Sequence, residues 1–254
     1  MWKIYDTLIN GLPEGLTVSA SAAGEHWIAV RSSEGGLGLA MRIDTESIPR
    51  ALPIDFTGMN LKELARHAKS WNFVDAGFGI AALNAFYNHE KRVRALGIDL
   101  PHESRKNEAF DKYRAEVAGK KVAVVGHFPF LEQHLKPVCS LSILERRPQD
   151  GDYPDPACEY ILGEQDYVFI TGSTLVNKTL PRLLSLARNA WTVLAGPTVT
   201  LSDALFEAGA DDLSGFVVTD PETCLKSVRS GDRMGQFHAG AMINYRAAQK
   251  QPTD

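Results

Sequence analysis

From Lys120 onward, short apolar runs alternate with helical stretches at regular spacing, and that alternation restricts the fold more than any other feature of the chain. The runs are KVAVVG, CSLSILE, DYVFITG, WTVLAG and GFVVTD. The helices between them carry recognisable ends. Asp155-Pro156 opens one that Gly163 stops, and Pro181 falls in the first turn of another, where a missing N–H does no harm. Thr200 and Asp203 have capping-box spacing ahead of a helix that closes at Gly209; Asp220-Pro221-Glu222 opens the last, which ends at Gly231. Repeated β/α units of this length predict a parallel sheet covered on both faces. The tail after Gly231 turns polar and is expected to fray.

The first third reads differently. Trp2, Ile4, Tyr5, Leu8 and Ile9 mark a short amphipathic helix ending at Gly11 and Pro13. LTVSASAAG, HWIAVRSS and LGLAMRI follow as a β-meander broken by Gly24 and by Gly35-Gly36. Two helices come next, LKELARHAKSW and DAGFGIAALNAFYNH, the second with Asp75 as its expected N-cap. Residues 89–118 are charged and weakly periodic. The expected fold class is therefore α/β: a smaller α+β domain (1–90), a connecting segment (91–119) and a Rossmann-like parallel-sheet domain (120–254).

A chain of 254 residues has enough interior to fold without staples. Its net charge of −4 argues against nucleic acid as the main partner, because phosphate backbones recruit basic surfaces. The three cysteines, Cys139, Cys158 and Cys224, are scattered, so neither a disulfide framework nor a metal knuckle is expected. The N-terminus lacks a signal-peptide pattern and no apolar run approaches a membrane span, which makes the cytoplasm the expected location, with no membrane partner. A homodimer is compatible with all of this. The seven histidines form no His-x-x-x-His pair, so no metal ligands are assigned, although a transition metal stays open as a cofactor.

In an open parallel sheet, ligands bind outside the carboxyl ends of the strands, where loops converge and helix N-termini point inward. Gly126 and His127 follow the first strand. One glycine is not the three-glycine dinucleotide fingerprint; His127 is placed to act as an acid/base group or to pack. Glu145 ends the second strand, about 20 residues past Gly126, the place of a ribose-binding acid in nucleotide sites; an ion pair with Arg146 or Arg147 is the competing reading. The third strand delivers the densest polar loop, with Thr171, Gly172, Thr174, Asn177, Lys178 and Thr179, which suits an anionic or carbonyl-bearing ligand. Gly196, Pro197 and Thr198 follow the fourth strand. Asn84 shares a helix face with Ile80 and Tyr87, beside Gly77 and Gly79, from which it could reach an interdomain cleft. Asp220 reads as a cap rather than a catalyst.

GHFPF, TGSTLVNKTL and LAGPT…LF…GADDLSG, in this order, resemble the DUF364 family, whose name links it to heavy-metal chelation, and GIAALNAF is similar to that family's N-terminal partner, an enolase N-terminal-like α+β domain. The resemblance implies two domains with a cleft between them. It also implies condensation or hydrolysis of heterocyclic precursors of flavin-, pterin- or siderophore-like compounds. The positions that fall in family motifs are Asn84, Gly126, His127, Pro129, Thr171, Gly172, Thr174, Asn177, Lys178, Thr179, Gly196 and Pro197.

The reading that follows is a small-molecule enzyme. His127 moves protons, Lys178, Asn177 and Thr174 stabilise negative charge, and Glu145 orients a sugar or amine. The cofactor-binding set is Gly126, Glu145, Thr171, Gly172, Thr174, Gly196 and Pro197; Asn84, Thr179 and Thr198 are assigned to substrate. A carrier of a metal–chelator complex or nucleotide-like ligand is the alternative, and an S-adenosylmethionine-dependent methyltransferase a third.

Overall fold

A computed structural model describes residues 2–44, 48–53, 55–100, 108–128 and 131–246. Helix α1 (Lys3–Asn10) leads into a three-stranded antiparallel sheet of β1 (Val18–Ala23), β2 (Trp27–Ser32) and β3 (Leu37–Met41). Helices α2 (Leu61–Arg66), α3 (Phe73–Tyr87), α4 (Glu90–Ala95) and α5 (Glu108–Tyr113) lead to β4 (Lys121–Val125). Then come α6 (Leu131–Leu135), β5 (Ser140–Glu145), β6 (Tyr153–Pro154), α7 (Cys158–Ile161), β7 (Tyr167–Thr171), α8 (Ser173–Val176) and α9 (Leu180–Leu186). The chain closes with β8 (Trp191–Ala195), α10 (Asp203–Glu207), β9 (Asp212–Val218), α11 (Pro221–Ser230) and β10 (Gly240–Arg246).

Among the described residues the later strands form one seven-stranded sheet in the order β10-β9-β8-β7-β4-β5-β6. All neighbours are parallel except β10, which pairs antiparallel along β9 from Gly240↔Val218 to Arg246↔Asp212. The expectation that the tail after Gly231, polar at its end, frays is corrected for residues 240–246. Residues 240–246 complete the sheet edge, and residues 247–254 lie outside the described set. The chain runs from β4 to β5 and β6 on one side, then crosses to β7, β8 and β9 on the other. The strand order therefore switches between β4 and β7.

The continuous apolar runs follow from burial on both faces. Ala123, Val125, Val168, Ile170 and Leu194 enter one core together with Leu8, Ile80 and Leu83 of the N-terminal elements. Their alternates Val122, Val124, Phe169 and Val193 enter another with Phe110, Tyr113 and Val117. Helix α3 is apolar all round because it is enclosed, and Gly38 of β3 lets it approach. A Cβ on Gly38 would lie 2.2 Å from Ala81 O and Ala85 N.

Two capping assignments change. Helix α3 is capped by Asn72, whose Oδ1 accepts from Asp75 N at 3.1 Å. Asp75 sits inside the first turn, fully buried, bound to Arg50 Nε at 2.9 Å and to the Ala51 N–H at 2.6 Å. Ser202, not Thr200, caps α10; the Thr200 hydroxyl instead donates to Asn84 Oδ1 at 2.6 Å. Helix α11 behaves as read, capped by Asp220 and ended by Gly231 at φ +75°.

Candidate functional site

The ends of β4, β5 and β7 enclose a cavity of about 110 Å³ lined by Gly126, Glu145, Thr171, Thr174, Asn177 and Thr179. Ser173, Arg146, Asp155 and Cys158 complete its polar wall. Gly126, at φ +106°, allows the close approach at the switch point, since a Cβ there would lie 2.9 Å from Thr171 Cγ2. The Phe128 ring covers this edge, 3.6 Å from the place of a Gly126 Cβ and 3.8 Å from that of a Gly196 Cβ. An open groove of about 660 Å³ lined by Glu34, Phe86, His89 and Arg92 is larger, but it lies away from the carboxyl ends of the parallel strands, so the smaller cavity is the better candidate.

Glu145 is not tied up by arginine. Its Oε2 accepts from the His127 N–H at 2.9 Å and its Oε1 from the Arg147 N–H at 3.1 Å, which fixes the two strand-end loops to each other. Arg146 pairs with Asp155 at 3.1 Å. Asn177 Oδ1 accepts from both the amide and the hydroxyl of Thr179, at 3.1 and 2.6 Å. Its Nδ2 makes no hydrogen bond among the described residues, leaving a donor for a ligand. The Thr174 hydroxyl donates to Thr171 O at 2.7 Å, and the Thr171 and Ser173 hydroxyls lie 3.2 Å apart. Burial pushes the Cys158 thiol up to about 11, so it stays protonated and unreactive at neutral pH.

His127 brings in a residue that sequence reasoning missed. Its Nδ1 lies 3.0 Å from Asp152 Oδ2, and the Asp152 side chain is only 2% exposed. A carboxylate there favours the tautomer with the proton on Nδ1, leaving the Nε2 lone pair free. The signal was the acid-rich QDGDYPD after β5, which does not say which acid turns back.

The other expected residues lie elsewhere. Gly172 packs against the 198–199 backbone, where a Cβ would meet Val199 N at 2.6 Å. Gly196 and Pro197 are half-buried beyond the cavity lining. Asn84 is fully buried, its Nδ2 donating to Leu39 O and Thr198 O at 2.8 and 3.1 Å. Thr198 Oγ1 accepts from Met41 N at 2.9 Å. One turn along α3, Asn88 donates to Val199 O and accepts from Leu201 N, both at 2.8 Å. Asn84 and Asn88 thus fasten α3 to residues 198–201. Lys178 turns away from the cavity toward Tyr5 and Phe73, its Nζ bound to Val176 O at 2.5 Å. Pro129 lies outside the described residues.

Among the described residues no group of three or more His, Cys, Asp or Glu side chains is placed so that it could hold a metal ion. Nor is any described helix long and apolar enough to cross a membrane.

Residues 108–247 match the DUF364 model and residues 5–87 the DUF4213 model, both described as "Putative heavy-metal chelation". An uncharacterized protein of Methanocaldococcus jannaschii is 32% identical over 174 residues, 65% of this chain and 63% of that one; the matched part thus spans less than two thirds of the relative. A crystal structure of a DUF364 protein of unknown function from Desulfitobacterium hafniense superposes with a TM-score of 0.90 at 42% identity, covering 97% of this chain and 99% of that one. One from Pyrococcus horikoshii, at 24% identity and a TM-score of 0.80 over 96% and 98% of the chains, shares the fold. A family model over more than half its length places this chain in the DUF364 family.

Proposed function

We propose that the chain is a small-molecule enzyme whose Rossmann-like part (120–254) seats a heterocyclic or nucleotide-like ligand at the β4/β7 switch point. The enolase N-terminal-like part (1–90) supports the site through the bonds of Asn84 and Asn88 to residues 198–201. The observation that carries this reading is the convergence on one cavity of Gly126, Glu145 and Thr171 from three strand ends with Thr174, Asn177 and Thr179 from the segment after β7. Glu145 offers acceptors to a diol or amine, and Asn177 Nδ2 offers a donor to a carbonyl or ring nitrogen. Asp152 holds His127 as a proton acceptor one residue past the cavity wall, which suits condensation or hydrolysis of a ring precursor.

The size of the cavity narrows the ligand. Sites for whole small molecules occupy roughly 300–1,000 Å³, so this cavity of about 110 Å³ takes a sugar- or ring-sized fragment, with the remainder against Phe128. One observation favours a carrier of a nucleotide-like ligand or metal–chelator complex: the His127 ring is not among the side chains lining the cavity.

A thermal-shift screen of nucleotides, pterins, flavins and S-adenosylmethionine tests the reading, with product analysis on every hit. A ligand at 100 times its Kd should add about 2.7 kcal/mol of stability. Conversion of a hit supports the enzyme, binding without conversion supports the carrier, and transfer of the methyl group of S-adenosylmethionine to a second hit supports the methyltransferase. No stabilisation by any class counts against the site.

A further inference from the structure

Lys178 is the only non-glycine among the described residues with a positive φ, +70°. Its neighbours Asn177 and Thr179 both line the cavity, and the left-handed backbone between them throws the lysine to the opposite side. Such a conformation is disfavoured for a side chain with a Cβ, and it persists where the surroundings enforce it, often at functional positions.

There the amine meets an apolar setting. Nζ lies 5.9 Å from the centre of the Tyr5 ring and 5.4 Å from that of Phe73, the outer reach of a cation–ring attraction. The Tyr5 hydroxyl is already committed to Leu175 O at 2.8 Å. Lys62, Lys69 and Lys112 each pair with a carboxylate; Lys178 has no such partner among the described residues. Its one acceptor is Val176 O, at 2.5 Å. An ammonium finds one protein acceptor and two rings there, whereas a neutral amine spends one N–H on the carbonyl and keeps a lone pair.

We infer that Lys178 is an amine nucleophile that forms a reversible imine with an aldehyde or ketone ligand at the junction of the β7–α9 loop with α1 and α3. The Nζ lone pair attacks the carbonyl carbon to give a carbinolamine. The two amine protons leave with the carbonyl oxygen as water, and hydrolysis reverses the step; no oxidant or reductant enters. Burial supports this by pushing the amine down to about 7. At pH 7.4 much of it is then neutral, against roughly one part in a thousand for an ordinary lysine. This goes beyond the cavity reading and does not rest on it, because Lys178 faces away from the cavity.

The test is reductive trapping on the intact wild-type chain, with glyoxylate and sodium cyanoborohydride at pH 7.0 and peptide mass mapping over time. Lys178 is expected to label at least tenfold faster than the exposed Lys120 and Lys226, with the advantage shrinking toward pH 9.5 as those two amines also lose their protons. Labelling of Lys178 at or below the rate of those two lysines overturns the inference. A ligand-induced thermal shift in that same preparation would leave the cavity reading standing.

Discussion

The His127 imidazole and the Asp152 carboxylate meet at 3.0 Å across the β4 and β5 loops, with the carboxylate buried. The same carboxylate accepts from the Gln149 N–H at 3.0 Å, so the turn that carries it is fixed and the ring takes its orientation from the protein. That arrangement suits a group that must present one nitrogen in a constant direction.

Asp152→Ala should therefore free the imidazole. Nitrogen-15 NMR of the wild type is expected to show His127 held with its proton on Nδ1, and the variant should show a mixture of tautomers with near-native melting. An unchanged tautomer would remove Asp152 from the account.

Asn84→Ala strips a buried amide from three partners, Leu39 O, Thr198 O and the Thr200 hydroxyl. Urea denaturation should record a loss of about 2–4 kcal/mol, since each orphaned buried group carries its desolvation cost. A loss within a few tenths of a kcal/mol would show that the amide does not fasten α3.

Gly126→Ala should cost about 1–3 kcal/mol, combining a strained positive φ with a Cβ pressed on Thr171. It should also push Thr171 toward the cavity and weaken ligand binding. Calorimetric titration and denaturation of the one protein would read both effects.

Lys178 makes stability depend on pH. Its folded-state value, about 7, lies below the unfolded lysine value of 10.5, so between them the unfolded chain binds more protons and stability rises with pH. Below about pH 7 the burial penalty is fully felt. Lys178→Met should raise the melting temperature at pH 6, with the gain shrinking by pH 9.5; a pH-independent difference would contradict the burial of a titrating amine.

The sheet was legible because its inner strands are buried on both faces and so read as unbroken apolar runs such as VAVV and YVFI. Strand β10 was not, because an edge strand carrying Asn244 and Arg246 looks like a polar tail. Asn72 and Asp75 are both competent caps, and the choice depended on Arg50, a partner brought from another segment. The cavity residues were legible as strand-end positions. The direction of Lys178 turned on a single φ angle, and Asp152 on a loop that folds back, neither of which leaves a periodic trace in sequence.

The most direct test of the shared site is calorimetric titration of the best ligand from the screen into the wild type, Glu145→Gln and Asn177→Ala. If the ends of β4, β5 and β7 form one site, each substitution should weaken binding about tenfold or more, on the order of 1.4 kcal/mol, while melting stays near native. Wild-type affinity in both variants would contradict it.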